Sequence, residues 1–209
     1  MLTTRDARWA RSLAAILAET GIRPNTISVA GIGFALLAGA AFPASALITG
    51  GWRAAVLLVA AAGIQLRLLC NLLDGMLAVE QGLKSSTGDI FNEVPDRVAD
   101  VIILVGAGHA ATSIGVGPSL GWAAALAAVF TAYVRVCGGS LGFTQHFIGP
   151  MAKQHRMFVL TMTTLAAAVE AVAGWPPRAI ASGLLIIIAG SVVTAARRVR
   201  RTVKEAQAR

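Results

Sequence analysis

Two neighbouring stretches hold the residues whose types and spacing could do chemistry. Asn71-Leu-Leu-Asp74-Gly75-Met-Leu-Ala78 closes one long apolar run, and Gly88-Asp-Ile-Phe-Asn92-Glu-Val-Pro-Asp96 opens the next. On a helix, positions 71, 74, 75 and 78 lie along one face, while Gly88, Asn92 and Asp96 each lie one turn apart. A carboxylate in a membrane helix is expensive to desolvate, so it normally faces a partner, a cavity or a metal. Gly75 and Ala78 would let a ligand or a backbone come close on the same face. The plainer alternative is that Asp74 and Asp96 sit at wet helix ends. That account suits Asp89 and Glu93, since acids near a helix N-terminus interact favourably with its dipole.

The elements that must position these residues are membrane helices. Of the 209 residues, 56% are hydrophobic and only 13% are charged, and the mean hydropathy is +0.71. A soluble domain carries about 25% charged residues. The apolar residues come in runs suited to bilayer crossings of about 20 residues each. Six spans are expected at 26–48, 54–75, 94–116, 120–142, 157–175 and 178–196, giving an all-α polytopic membrane protein. The turns Gly50-Gly51, Gly115-Val-Gly-Pro118 and Gly174-Trp-Pro-Pro177 mark hairpin tips. Before the first span, Leu2, Trp9, Leu13, Ile16 and Leu17 share one helical face, opposite Arg8, Arg11 and Glu19, with Arg5 at the boundary. That pattern suits an amphipathic helix lying in the membrane interface. The chain therefore reads as one membrane domain: an interfacial helix over 1–21, a core over 22–196 and a basic tail over 197–209.

Charge sets the expected orientation. Arg5, Arg8, Arg11 and Arg23 precede the first span, and Lys84 lies in the second connection with Arg97 just inside the third span. Lys153 and Arg156 lie in the fourth connection, and Arg197, Arg198, Arg200, Arg201, Lys204 and Arg209 follow the last span. The opposite connections hold only Arg53 and Arg178. By the positive-inside rule, both termini and the connections after spans two and four are cytoplasmic. The net charge of +8 is thus explained by topology, and no basic, aromatic-bearing soluble surface points to nucleic acid. Cys70 and Cys137 stand alone in separate spans, with neither a disulfide framework nor a zinc-type spacing.

The two chemical stretches resemble the signature of the CDP-alcohol phosphotransferases: Asp, two residues, Asp-Gly, two residues, Ala-Arg, a spacer, Gly, three residues, Asp, three residues, Asp. Asp74, Gly75, Ala78, Gly88 and Asp96 match it, whereas Asn71 and Asn92 stand at two acidic positions and Val79 replaces the arginine. The resemblance extends to the six-helix layout, the amphipathic N-terminal helix and the Pro24-Asn25 segment before the first span. It implies an integral enzyme of the bacterial inner membrane, working at the cytoplasmic face. Such an enzyme transfers a phosphatidyl group from CDP-diacylglycerol to a polar alcohol and releases CMP.

Carried over by position, Asp74, Asp96, Asn71 and Asn92 would be the metal positions and Asp96 also the base, with Gly75, Ala78 and Gly88 shaping the substrate site. The metal would be Mg²⁺ or Mn²⁺, and one ion rather than two, because two of four carboxylates are neutral amides. Asp89, Glu93 or Asp100 would be the available compensating carboxylates. Arg67, seven residues before Asp74, would either replace the missing arginine or form a structural ion pair. Pro95 implies that the third span begins near it or kinks beside Asp96. Lys153 and Arg156, with Arg135 in the fourth span, would bind the acceptor's phosphate or a lipid headgroup, or else serve as ordinary positive-inside anchors. A homodimer is implied as well, with the small-residue stretches of spans three and four as packing surfaces. Two other readings compete. One is a non-catalytic relative that binds CDP-lipid or supports partner enzymes. The other is a small transporter, for which no inverted repeat or broken-helix pair is visible.

Overall fold

The computed structural model describes residues 8–80, 88–112 and 115–208, and within them every side chain except those of residues 78–80, 88, 89, 91 and 92. Among the described residues there are seven helices and no strand: α1 (Arg8–Glu19), α2 (Pro24–Ala46), α3 (Gly50–Glu80), α4 (Gly88–Ala110), α5 (Gly117–Ser140), α6 (Lys153–Ala173) and α7 (Ala179–Gln207). Hydrogen bonds between helix ends show that α2, α4 and α6 start at the end where α3, α5 and α7 finish. Helix α4 packs between α2 and α5, α3 lies between α2 and α6, and α7 closes the bundle against α5 and α6.

Five of the seven, α2, α3, α5, α6 and α7, are long and apolar enough to cross a membrane. Helix α4 is the difference from the expected six. It is a full helix packed inside the bundle, but Glu93, Asp96, Arg97 and Asp100 in its first half lower its hydropathy. The elements also run beyond their apolar runs. Helix α3 continues to Glu80 and α7 to Gln207, because charged residues leaving an apolar layer need not leave the helix. The basic stretch expected as a separate tail is therefore the end of α7. The outward faces carry large apolar side chains, among them Leu36, Leu58, Trp122, Leu126, Phe158 and Ile186, a continuous apolar exterior that water would not support.

The amphipathic N-terminal helix is present, with a shifted contact face. Ala10 and Ala14 are fully buried, and Leu13 and Leu17 pack with them against Leu69, Leu72, Leu73 and Leu77 of α3. Trp9 and Ile16, on the flank, stay exposed; Leu2 and Arg5 lie outside the described residues. Pro24 occupies the first turn of α2, where its missing N–H is not needed. Gly174 ends α6 at φ 69°, the left-handed conformation in which only glycine escapes a Cβ penalty.

Candidate active site

Three helices bring the chemical residues together at the end of the bundle where α3 finishes and α4 and α6 begin. From α3, one turn apart, come Arg67, Asn71 and Asp74; from α4 come Asp96 and Asp100, again one turn apart; from the first turn of α6 come Lys153 and Arg156. Asp74 is buried, and its Oδ2 accepts a 2.6 Å hydrogen bond from Ser28 Oγ of α2. Its Oδ1 is buried without a partner. Asp96 is the hub. Its Oδ1 accepts from Arg67 Nη2 at 3.0 Å and from Asn71 Nδ2 at 2.9 Å. Its Oδ2 accepts from the Lys153 ammonium, and Arg97 stands 3.7 Å from the same oxygen. Lys153 Nζ also donates to Asn71 Oδ1 at 2.5 Å.

Behind this layer lies a second, fully buried one. Asp100 is 0% exposed and is held between Arg67 at 3.3 Å and Arg156 at 2.9 Å. Arg156 donates further to Thr131 Oγ1 and to the Met151 carbonyl. Arg198 of α7 reaches the Thr131 and Ile148 carbonyls, and the Met151 N–H donates to Thr194 Oγ1. These bonds fix the α5–α6 connection to α7 and so fix where α6, and Lys153 at its tip, begins.

The expected residues therefore divide. Asn71, Asp74, Asp96 and Lys153 converge, with Gly75 beside Asp74 in the chain. Arg156 does not face a substrate: its side chain is 2% exposed and bound to Asp100, so it holds the frame. Arg67 resolves as an ion-pair partner, with its Nη1 left buried and unpaired. Arg135 sits at the rim, 2.5 Å from Glu93, bonded to Gln145 and stacked over Phe147. Of the compensating carboxylates, Glu93 is committed to Arg135 and Asp100 to two arginines. The side chains of Ala78, Val79, Asp89 and Asn92 lie outside the described residues, and Gly88 contributes the first residue of α4. Pro95 falls inside α4, which runs on through it from Gly88, so the helix does not begin at the proline. Ser28 and Asp100 are the site residues that sequence reasoning passed over or misassigned. Ser28 had a signal, one turn after Pro24 at the start of the first apolar run.

Two spaces adjoin the cluster. Ser28, Gly31, Arg67, Asn71, Asp74 and Asp96 line a small cleft between α2, α3 and α4, and two of them carry the buried, unpaired atoms Asp74 Oδ1 and Arg67 Nη1. A larger cleft of about 560 Å³ runs between α1, α3 and α6. Its lining includes the apolar Trp9, Leu68, Leu69, Leu72 and Phe158 and the polar Asn71, Lys153, Gln154 and His155.

A divalent ion fits this arrangement poorly. Hard cations need several oxygen ligands with free lone pairs. Here both Asp96 oxygens already accept from cations and Asn71 Oδ1 accepts from Lys153, so among the described oxygens of these three residues only Asp74 Oδ1 is without a hydrogen-bond partner. No group of three His, Cys, Asp or Glu able to hold a metal occurs among the described residues.

No family model matches the sequence, and no curated protein matches it either. Solved structures do share the fold. Phosphatidylinositol phosphate synthase of Mycobacterium tuberculosis with CDP-DAG bound superposes with a TM-score of 0.77 at 18% identity, covering 94% of each chain. The same enzyme in complex with manganese and citrate gives 0.75 at 18% identity, over 92% of this chain and 88% of that one. Its apo form gives 0.73 at 19% identity, over 92% and 94%. At these identities the likeness establishes a common fold.

Proposed function

We propose that this chain is a CDP-alcohol phosphotransferase of phospholipid synthesis, transferring a phosphatidyl group from CDP-diacylglycerol to a polar alcohol and releasing CMP. The observation that carries the reading is that Asn71 and Lys153, both bonded to Asp96, line a large cleft together with Trp9, Leu68, Leu69, Leu72 and Phe158, while Asp74 and Asp96 line the small cleft that shares Asn71 with it, so charged groups adjoin an apolar lining. A lipid with a charged head and two acyl chains has that division. The shared fold with an enzyme solved with CDP-DAG bound supports it.

In this reading Asp96 is the base. The acceptor hydroxyl gives its proton to an Asp96 carboxylate oxygen as the hydroxyl oxygen bonds to the phosphatidyl phosphorus. The bond from that phosphorus to the CMP oxygen breaks, and CMP leaves with the electron pair. Arg67 and Asn71 orient Asp96, Lys153 offers positive charge to the diphosphate, and Arg135 lines the acceptor side. The metal expected from the resemblance enters no step, because the described donors do not offer it a seat.

The same reading makes α4 the sixth span, placed across the bilayer between α2 and α5 with its carboxylates turned inward. Both termini and residues 76–93 then lie in the cytoplasm of a bacterial cell, at the inner membrane. Single-cysteine labelling, in a background lacking Cys70 and Cys137, checks this: residue 84 should be shielded from an impermeant reagent in intact cells. Labelling from outside would invert the topology and remove the site from the cytoplasmic face.

The activity test uses purified protein, CDP-diacylglycerol and a panel of polar alcohols, with EDTA and Mn²⁺ arms. Acceptor-dependent CMP release is expected, and Asp96→Asn should lower it by about 10²–10⁴-fold, the usual contribution of a positioned general base. Size-exclusion profiles of the variant separate lost chemistry from lost folding. The two asparagines favour one second reading, a relative that binds CDP-lipid without turnover. CDP binding with no CMP release under any condition would select it.

A further inference from the structure

We propose that the Lys153 ammonium is a resident cation standing where a divalent ion would be required, and that the site binds the diphosphate of a CDP-linked lipid without a metal. The inference rests on the CDP-lipid reading above for its ligand, while the claim about the cation rests on geometry alone.

Lys153, Asn71 and Asp96 form a closed ring. The ammonium donates to Asn71 Oδ1 and Asp96 Oδ2, and Asn71 turns its amide N–H to Asp96 Oδ1. An aspartate at 71 could not make that last bond. It would place a second carboxylate within hydrogen-bond distance of the first, an arrangement that needs a strongly charged counter-ion. The amide at 71 and the ammonium at 153 are therefore two halves of one solution.

Charge balance agrees. Asp96 and Asp100 pair with Arg67, Lys153 and Arg156, and Asp74, held by Ser28 in the same cluster, brings the count to three against three before the more distant Arg97 is considered. A cluster inside a low-dielectric bundle is tolerable when neutral, and a divalent ion would leave this one with excess positive charge.

Lys153 is also placed against local preference. It is the first residue of α6, whose first turn holds no acid, and a cation at a helix N-terminus opposes the dipole. Positions that break a local rule while the surroundings are built to hold them are those where function is expected. Here the bonds from the Met151 N–H to Thr194 Oγ1 and from Arg156 to the Met151 carbonyl hold the helix tip. An ammonium carries three donors, and two are committed, so one remains for a phosphate oxygen.

The test is a Mn²⁺ titration of the purified full chain, followed by calorimetric titration with CDP in EDTA and in Mn²⁺. Wild type should show no Mn²⁺ site that depends on Asp74, and CDP should bind equally in both buffers. Lys153→Met should weaken CDP binding in EDTA by about ten- to a hundredfold, the weight of a lost hydrogen bond to a charged group. Lys153→Met combined with Asn71→Asp should create a Mn²⁺ site that Asp74→Ala removes. The inference is overturned by a wild-type Mn²⁺ site lost in Asp74→Ala. It is equally overturned by CDP binding that requires Mn²⁺, or by a folded double variant that takes up no Mn²⁺. The wild-type titration needs no variant, so a misfolded mutant leaves the test standing. CDP binding in neither buffer would instead sink the CDP-lipid reading, with the Mn²⁺ titration still deciding the cation.

Discussion

The seam between α2, α4 and α5 and the polar end of the same helices are held by opposite means. At the seam, glycines let backbones touch: a Cβ on Gly106 would lie 2.9 Å from Gly39 Cα, and one on Gly108 would lie 2.7 Å from Gly121 Cα. At the polar end, side chains bridge wider gaps through Arg67, Asp96, Asp100, Lys153 and Arg156. Packing of small residues is local and tolerant of solvent conditions, and it carries no chemistry. Buried ion pairs are costly to desolvate, and they persist where charge itself is needed. Gly106, Gly108 and Gly121, among the small residues of spans three and four, make their close contacts within one chain.

The sharpest way to break this contrast is to remove Asp100, which leaves two buried guanidinium groups facing each other. Asp100→Asn should destabilise the protein by about 3–5 kcal/mol, the usual result of stripping one partner from a buried ion pair. Thermal unfolding in detergent measures it. Replacing the whole set, Arg67→Met with Asp100→Leu and Arg156→Met, should recover most of that stability while CDP binding stays lost. If the triple variant bound CDP like wild type, the polar end would be no more functional than the seam.

How far the sequence showed these two regions follows from the range of the interactions. Helix positions were legible because apolar runs are local, and their ends were misjudged because α3 and α7 stay helical past the last apolar residue. Asp74 and Asp96 stood out through their spacing within neighbouring stretches. Their partners did not, because Lys153 lies 82 residues from Asn71 and 57 from Asp96. Basic residues at a span's cytoplasmic end look alike whether they anchor the helix or reach into a site. Arg156 and Lys153, in one helical turn, were read alike and proved different, one buried in the frame and one at the cleft.

The smaller effect is expected at the seam, and it sharpens the contrast from the other side. Gly106→Ala inserts a methyl against the Gly39 backbone, where neither neighbour is a flexible side-chain tip that could turn away. The helices must shift apart along the contact, and overpacking of this kind costs about 1–3 kcal/mol. The loss should appear in thermal unfolding. CDP affinity measured below the transition should stay at the wild-type value, because Gly106 lies more than two helical turns from Asp96 along α4. Size-exclusion mass should also stay unchanged, since the contact is internal to one chain. A Gly106→Ala protein that unfolds like wild type but changes its mass would return the small-residue face to the subunit interface. One that keeps its mass and stability yet loses CDP would mean that the spacing between α2 and α4 sets the geometry of Ser28, Asp74 and Asp96. In that case the two regions would form a single device.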